Sequence, residues 1–301
     1  MKWRRVRGRD VVDVRGASRG GGGRLPLPGG IKGVGGGLGI VGVILFIALQ
    51  VIGGGGGAGG FDVGQVLGPG VQAPGAENPQ PIPPAQDPQR DLKDFSVYVF
   101  EDTQKTWAQT FRRSGEQYSN AELVLYSGAV QTGGCGGATS AVGPFYCPAD
   151  GRVYLDLSFY EDMRRQLGAP GDFAWAYVIA HEMGHHVQDE QGISDDVDAQ
   201  RRENPDQANA LSVRLELQAD CYAGVWASTV FAQGELQQGD LQEAFTAAEA
   251  VGDDRLQRQA GASVNPDTFT HGTSAQRRRW FTAGYRAGDT GACDTFSATS
   301  L

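Results

Sequence analysis

The stretch that decides the fold is His181-Glu182-Met183-Gly184-His185, in which two histidines stand four residues apart. On an α-helix, residues at this spacing lie one turn apart on the same face, so their imidazole rings can bind one metal ion. Glu182 lies beside that face and can accept a proton from a water molecule at the metal. A stripe of Ile179, Met183 and Val187 lies on another side and predicts that the helix packs against the core.

The ion that suits this pattern is zinc, which in catalytic sites has three protein ligands and one open position. The two histidines supply two of these ligands, so the third must come from another residue. In the metzincin class it would be a histidine at position 191, after a glycine at position 188. This chain has Gln188 and Gln191 at these positions, which excludes that class. The candidates are the distant His271 and Glu216.

Glu216 is the better placed candidate, because a helix is predicted from about residue 205 to 231 and Asp220 follows one turn later on the same face. Two such carboxylates can have different roles at a metal centre. Glu216 binds the ion, and Asp220 accepts the second ring N–H of a ligating histidine and so fixes its tautomer. The alternative for this pair is a solvated helix face.

The surrounding pattern is that of a mixed α+β fold. β-rich runs predict strands over 122–126 and 152–157, and turn residues at 148–151 predict a hairpin that joins the second run to 145–147. The glycine-rich stretch 133–137 is predicted to be a loop. Helices are predicted from about 101 to 111, from Asp172 (a plausible N-cap) to Gly192, and over 205–231, 239–251 and 274–285.

Four cysteines allow three disulfide pairings. We favour Cys135 with Cys147, which closes a short loop, and this leaves Cys221 with Cys293. Such pairs form in an oxidising compartment. The alternative is that Cys221, within a predicted helix, is a buried thiol.

Charge and apolar residues are unevenly distributed along the 301 residues. Residues 1–52 hold nine basic and two acidic side chains, whereas the rest holds 17 basic and 33 acidic ones. The excess of acidic groups in residues 53–301 would repel the phosphates of a nucleic acid, so nucleic acid is excluded as an expected partner. The apolar run 40–49 predicts a membrane helix, and the basic residues before it favour a cytoplasmic N-terminus. The alternative is a cleaved signal peptide.

These features give a predicted organisation in four parts. They are a basic cytoplasmic tail (1–32), a transmembrane helix (33–52), a Gly/Pro-rich disordered tether (53–90) and a metallopeptidase domain (91–301) that lies outside the cytoplasm at the cell membrane.

Beyond the histidine motif, four strings make the chain similar to a known family. They are residues 126–136, 143–148, 216–221 and 270–274. The motif with a later ExxxD helix looks like the gluzincin peptidases, and the strings resemble the bacterial, single-pass, YpfJ-like family described as "putative neutral zinc metallopeptidase". The resemblance covers about residues 90 to 301. It implies a zincin-like fold, with a small twisted sheet, an active-site helix and a mainly helical C-terminal half.

The segment from His271 to Arg277 resembles the HPxxxxR segment of integral-membrane gluzincins, in which the His and Arg are thought to steady the oxyanion. Gly272 replaces the proline of that segment. Either side chain could donate a hydrogen bond to the negative charge that develops on the substrate oxygen. The alternative is that His271 caps the helix that begins near Ser274.

The expected function is that of a zinc metalloendopeptidase with Glu182 as general base. The substrate is a protein or peptide that pairs with an edge strand within residues 145–157. One alternative is a zinc-binding scaffold of the cell envelope with weak or no hydrolysis. Another is a zinc hydrolase that acts on a non-peptide amide or on cell-wall peptides.

Overall fold

The computed structural model describes residues 1–16 and 81–301. The predicted membrane span over 33–52 lies outside these residues, and so does the predicted tether as far as residue 80. Among the helices in the two described ranges, none has both the length and the apolarity that a membrane crossing requires.

The main sheet has four strands in the order β1 (Val11–Asp13), β2 (Glu122–Tyr126), β6 (Arg152–Asp156) and β5 (Phe145–Cys147). Strands β1 and β6 run parallel to β2, and β5 runs antiparallel to β6. The predicted strands and hairpin are confirmed. The predicted substrate edge over 145–157 needs a correction, because β6 lies inside the sheet and β5 is the strand at its edge.

Strand β1 belongs to a segment that the sequence assigns to a separate basic tail. In the structure, residues 1–16 of that predicted tail over 1–32 pack on the domain. The buried Arg15 guanidinium lies 2.8 Å from the Asp13 carboxylate and 2.7 Å from that of Asp87. The Trp3 ring packs against Phe95 with centroids 5.5 Å apart. Arg15, and also Arg5 through Asp91 and Asp94, therefore pair with acidic groups of the fold, and the packed unit includes residues before position 91.

A second sheet has two antiparallel strands, β3 (Ala129–Gln131) and β4 (Gly137–Thr139), joined by the predicted glycine-rich loop. We call residues 129–139 the β3–β4 hairpin. Cys135 in its turn forms a disulfide with Cys147 at the end of β5. The second disulfide joins Cys221 and Cys293. Both predicted pairings are confirmed.

The described residues also form eight α-helices, most of them in the C-terminal half. They are α1 (Arg90–Ser114), α2 (Phe159–Arg165), α3 (Asp172–Glu190), α4 (Ile193–Glu203), α5 (Ala208–Ala232), α6 (Asp240–Ala250), α7 (Asp253–Gln259) and α8 (Ser274–Ala287). The predicted α+β class, with its mainly helical C-terminal half, is confirmed.

Helix α1 begins eleven residues before its predicted start, because the earlier turns bury Phe95 and Val99 in the main hydrophobic core. Three helices, α2, α4 and α7, were not predicted. Helix α3 begins one residue after its N-cap, Gly171, so Asp172 is its first helical residue. It ends before Gly192, whose φ of 73° is the left-handed conformation that favours glycine.

Helix α3 lies at the centre of the molecule, where α1, α5 and α6 pack on it. The stripe of Ile179, Met183 and Val187 is fully buried, as predicted. Gly184 lets α5 approach closely, because a Cβ atom there would lie 2.9 Å from the Ala219 carbonyl oxygen. This close approach brings the two helices that carry the predicted ligands together.

Candidate metal centre and catalytic cleft

The structure brings His181 and His185 of α3 together with Glu216 of α5. The Nε2 atom of His181 lies 3.2 Å from Glu216 Oε2, and that of His185 lies 3.4 Å from Glu216 Oε1. One ligand atom from each residue falls within 4.8 Å of the others, as a shared metal ion requires. Two imidazoles and one carboxylate form the donor set of a three-ligand zinc site.

Both histidines are oriented by partners on their other ring nitrogen. His181 Nδ1 lies 2.9 Å from Asp220 Oδ1, and His185 Nδ1 lies 2.8 Å from Gln188 Oε1. Gln188 is held in turn, because its amide nitrogen donates to the Leu215 carbonyl at 2.7 Å. Since the Nδ1 atoms donate to these oxygens, the Nε2 atoms are the ring nitrogens that face Glu216. The residues therefore fit a divalent cation.

The charge balance of the group is set by burial and by opposite charges. Burial would lower the pKa of His181, but the Asp220 carboxylate and then Glu216 outweigh it and raise the pKa to about 10. Burial would raise the pKa of Glu216, but His185 and His181 hold it well below its usual range. The Glu216 carboxylate is therefore ionised, and a divalent cation bound here would take the place of the Nε2 proton that His181 carries in its charged form.

Asp220 also binds Arg277 of α8, which is buried. The guanidinium donates from Nε to Asp220 Oδ2 at 2.8 Å and from Nη2 to Asp220 Oδ1 at 2.9 Å. The hydroxyl of Tyr177 donates to the same carboxylate. This geometry differs from the predicted oxyanion role of Arg277, because its bidentate contact is with Asp220.

Glu182 is buried beside this group and lines the cleft. Burial raises the pKa of its carboxyl, and the charges of His181 and His185 act in the opposite direction. The backbone N–H of Tyr146 in β5 also lowers this pKa. A carboxyl group with a raised pKa is suited to taking and returning a proton.

His271 lies across the cleft on the loop before α8. Its Nδ1 is 3.1 Å from Asp253 Oδ1, which leaves Nε2 as the ring nitrogen available to the cleft. The alternative role as a helix cap is wrong, because Thr273 caps α8 by accepting from the Gln276 backbone N–H at 3.1 Å.

The three ligand residues, Glu182, His271 and Arg277 line one cleft of about 480 Å³. Its wall is mainly apolar and comes from the β3–β4 hairpin, the segment that leads into β5, and helices on either side of the metal centre. The apolar residues include Val142, Pro144, Phe145, Phe159, Val178, Val251 and Leu256.

Comparison with known proteins identifies the family. The family described as "Putative neutral zinc metallopeptidase" matches residues 1–296. The chain belongs to this family of zinc metallopeptidases. Its cofactor is therefore zinc, which agrees with the donor set of His181, His185 and Glu216.

Two relatives show how far the similarity extends. The "Uncharacterized protein YpfJ" of Escherichia coli (strain K12) is 46% identical over 302 residues, which cover 98% of this chain and 99% of the relative. The "Uncharacterized protein Rv2575" of Mycobacterium tuberculosis (strain ATCC 25618 / H37Rv) is 48% identical over 195 residues, 61% of this chain and 65% of that one. No solved structure matches the chain.

Sequence reasoning missed several residues that hold this zinc metallopeptidase site together. In the sequence, Gln188 was considered only as a departure from the metzincin pattern. No sequence pattern pointed to Asp253 or Tyr177, because their partners in the site, His271 and Asp220, are distant from them in the sequence. Tyr146 lay within the quoted string 143–148, which was the one signal that could have found it.

Proposed function

We propose that the protein is a gluzincin-type zinc metalloendopeptidase with a zincin-like fold. His181, His185 and Glu216 hold the zinc ion, and Asp220 fixes the orientation of His181. The observation that carries the proposal is the convergence of three ligand atoms within 4.8 Å beside a buried glutamate in an open cleft.

When bound, zinc supplies a Lewis acid that polarises a peptide carbonyl and lowers the pKa of water. The Glu182 carboxylate takes a proton from the attacking water as the new carbon–oxygen bond forms. It then gives this proton to the amide nitrogen as the carbon–nitrogen bond breaks. Burial would lower the pKa of His271, but the hydrogen bond to Asp253 outweighs it and raises the pKa. In the protonated ring, Nδ1–H binds Asp253 and Nε2–H donates a hydrogen bond to the substrate oxygen that becomes negative.

Substrate binding uses the free edge of β5. An extended peptide can pair with this edge by main-chain hydrogen bonds, which hold the peptide without regard to its sequence. The mainly apolar wall of the cleft then favours apolar side chains near the cleaved bond.

The two disulfides support a location for the domain. Such bonds persist in oxidising compartments and are rare where glutathione keeps thiols reduced. All four cysteines are paired, so we propose that the domain works outside the reducing cytosol.

The test is a comparison of the wild type with Glu182→Gln. We expect the variant to bind one zinc ion per chain and to cleave a peptide library at least about 1,000-fold more slowly, because the water has lost its base. Glu203→Gln, an exposed position on α4, is the matched control and should be fully active. Equal cleavage by Glu182→Gln would contradict the general-base assignment. A wild type that binds zinc and cleaves nothing would point to a scaffold.

A further inference from the structure

Helix α3 presents a second polar face besides the one that carries the metal ligands. Glu182, His186 and Asp189 stand at positions i, i+4 and i+7, so they share one face of the helix. This face is turned toward the edge strand β5, where one side chain, Tyr146, meets it.

Tyr146 contacts the second face of α3 with its side chain. Its hydroxyl donates to Asp189 Oδ2 at 2.7 Å and lies 3.1 Å from His186 Nδ1. Tyr146 and Glu182 also line the same cleft. One residue of the edge strand therefore contacts two successive turns of the active-site helix, on the face that carries the proposed base.

His186 is fixed independently of Tyr146, so it is a rigid support. It is buried, and its Nε2 lies 2.9 Å from the Ser119 carbonyl oxygen. The Tyr118 ring packs against the imidazole edge-on, with centroids 5.3 Å apart. A hydroxyl held against such a group has little freedom to move.

The other attachments of strand β5 lie on its sheet side and include the Phe145 ring, which stacks on Tyr154 of β6 with centroids 4.8 Å apart. The strand is three residues long and pairs with β6 along one side, and its last residue, Cys147, forms the disulfide to Cys135. The contacts of Tyr146 with α3 therefore fix the distance between the Glu182 carboxylate and the edge that would receive a peptide.

We propose that Tyr146 is a positioning residue that holds the general base and the substrate-binding edge in one fixed relation. It acts through helix α3, which carries Glu182, and through β5. The inference rests on the proposed peptidase function, since it assigns a role in that same site. Asp189 and His186 serve as the anchors of the Tyr146 hydroxyl.

The first test is Tyr146→Phe, which removes the hydroxyl and keeps the ring. The matched control is Tyr222→Phe, because the Tyr222 hydroxyl bonds Gln191 Oε1 at 2.8 Å just beyond the C-terminal end of α3, away from β5. On a peptide that the wild type cleaves, we expect Tyr146→Phe to lower kcat at least about tenfold and to change KM less than about threefold. Zinc content should be unchanged. Equal losses in both variants would mean that the hydroxyl only stabilises the helix, and would overturn the proposal.

The second test replaces Asp189, which accepts the hydrogen bond from the Tyr146 hydroxyl. Asp189→Asn keeps an oxygen that can accept from Tyr146, whereas Asp189→Ala does not. We therefore expect the alanine variant to lose kcat as Tyr146→Phe does and the asparagine variant to recover most of it. If alanine and asparagine variants behave alike, the hydroxyl contact does not set the position of the base.

A third measurement is independent of catalysis. Amide hydrogen exchange of residues 145–147 in the zinc-loaded protein should be faster in Tyr146→Phe than in the wild type, and unchanged in Tyr222→Phe. Unchanged exchange in Tyr146→Phe would overturn the proposal whatever the kinetic measurements show. A zinc-loaded wild type that cleaves no peptide, but shows the expected exchange, would instead refute the proposed function and keep the structural link.

Discussion

At the level of single residues, Asp220 holds the site together, since it contacts His181, Arg277 and Tyr177 at once. Asp220→Ala removes the acceptor of the His181 Nδ1–H and leaves the buried Arg277 cation without its partner. We expect zinc affinity to fall about 10- to 100-fold, as it does when such supporting carboxylates are lost. Competition with a chromogenic chelator measures this. Asp198→Ala, at an exposed position on α4, is the control, and equal affinities in the two variants would contradict the role of Asp220.

His271 is expected to act on the reaction and not on the metal. His271→Ala should lower kcat about 100-fold, the effect of losing one hydrogen-bond donor to the oxyanion, while the zinc content stays at that of the wild type. Asp253→Asn should have a smaller effect, because it keeps the histidine and an oxygen that can accept from Nδ1 or from the backbone N–H groups of residues 270–272, all of which the Asp253 carboxylate binds. Steady-state kinetics together with metal analysis separate an effect on the reaction from an effect on zinc binding. Loss of zinc from His271→Ala would show that this histidine is a ligand instead.

The five residues predicted from the sequence to hold or serve the metal could be found because each lies on a helix with a regular spacing. A motif within one helix fixes the relative positions of His181 and His185, and the same holds for Glu216 and Asp220. Tyr146 could not be found in this way. It reaches Asp189 across 43 positions of the sequence, and no local pattern predicts such a contact.

Among the secondary-structure elements, the sequence predicts well those whose pattern is self-contained. Strands β2 and β6 are continuous β-rich runs, and α3, α5 and α6 have a clear apolar periodicity or clear end signals. Strand β1 was missed because it has three residues and its partner, β2, lies about 110 positions later. Helices α4 and α7 were missed because they are short and rich in charged residues, so their apolar pattern is weak.

The two disulfides should differ in what they contribute to stability. Cys135–Cys147 spans 12 positions and Cys221–Cys293 spans 72, so the loop-entropy estimate gives about 3 and about 4.5 kcal/mol. The second bond also lies in the core, where Cys221 and Cys293 are almost fully buried. We expect paired serine substitutions at 221 and 293 to lower the free energy of unfolding more than those at 135 and 147. Urea unfolding measures the difference, and the reverse order would contradict it.

At the scale of the whole molecule, residues 1–16 and the domain from residue 81 form one packed unit. Strand β1 completes the sheet, and Arg15 is buried against Asp87. The predicted topology instead separates these parts by one membrane crossing over 33–52. A single crossing would place them on opposite sides, so this predicted topology and the pairing of β1 with β2 exclude each other.

Two exposed valines allow this conflict to be tested in intact cells. Val6 lies in the N-terminal segment and Val264 in the domain, with 37% and 38% of their surface exposed. We expect single Val6→Cys and Val264→Cys variants to react alike with a membrane-impermeant maleimide, because the packed unit lies on one side of any membrane. Labelling after lysis controls for the intrinsic reactivity of each thiol. If the reagent reached position 264 and not position 6 in intact cells, the single crossing would be correct and the packing of residues 1–16 would not form in the cell.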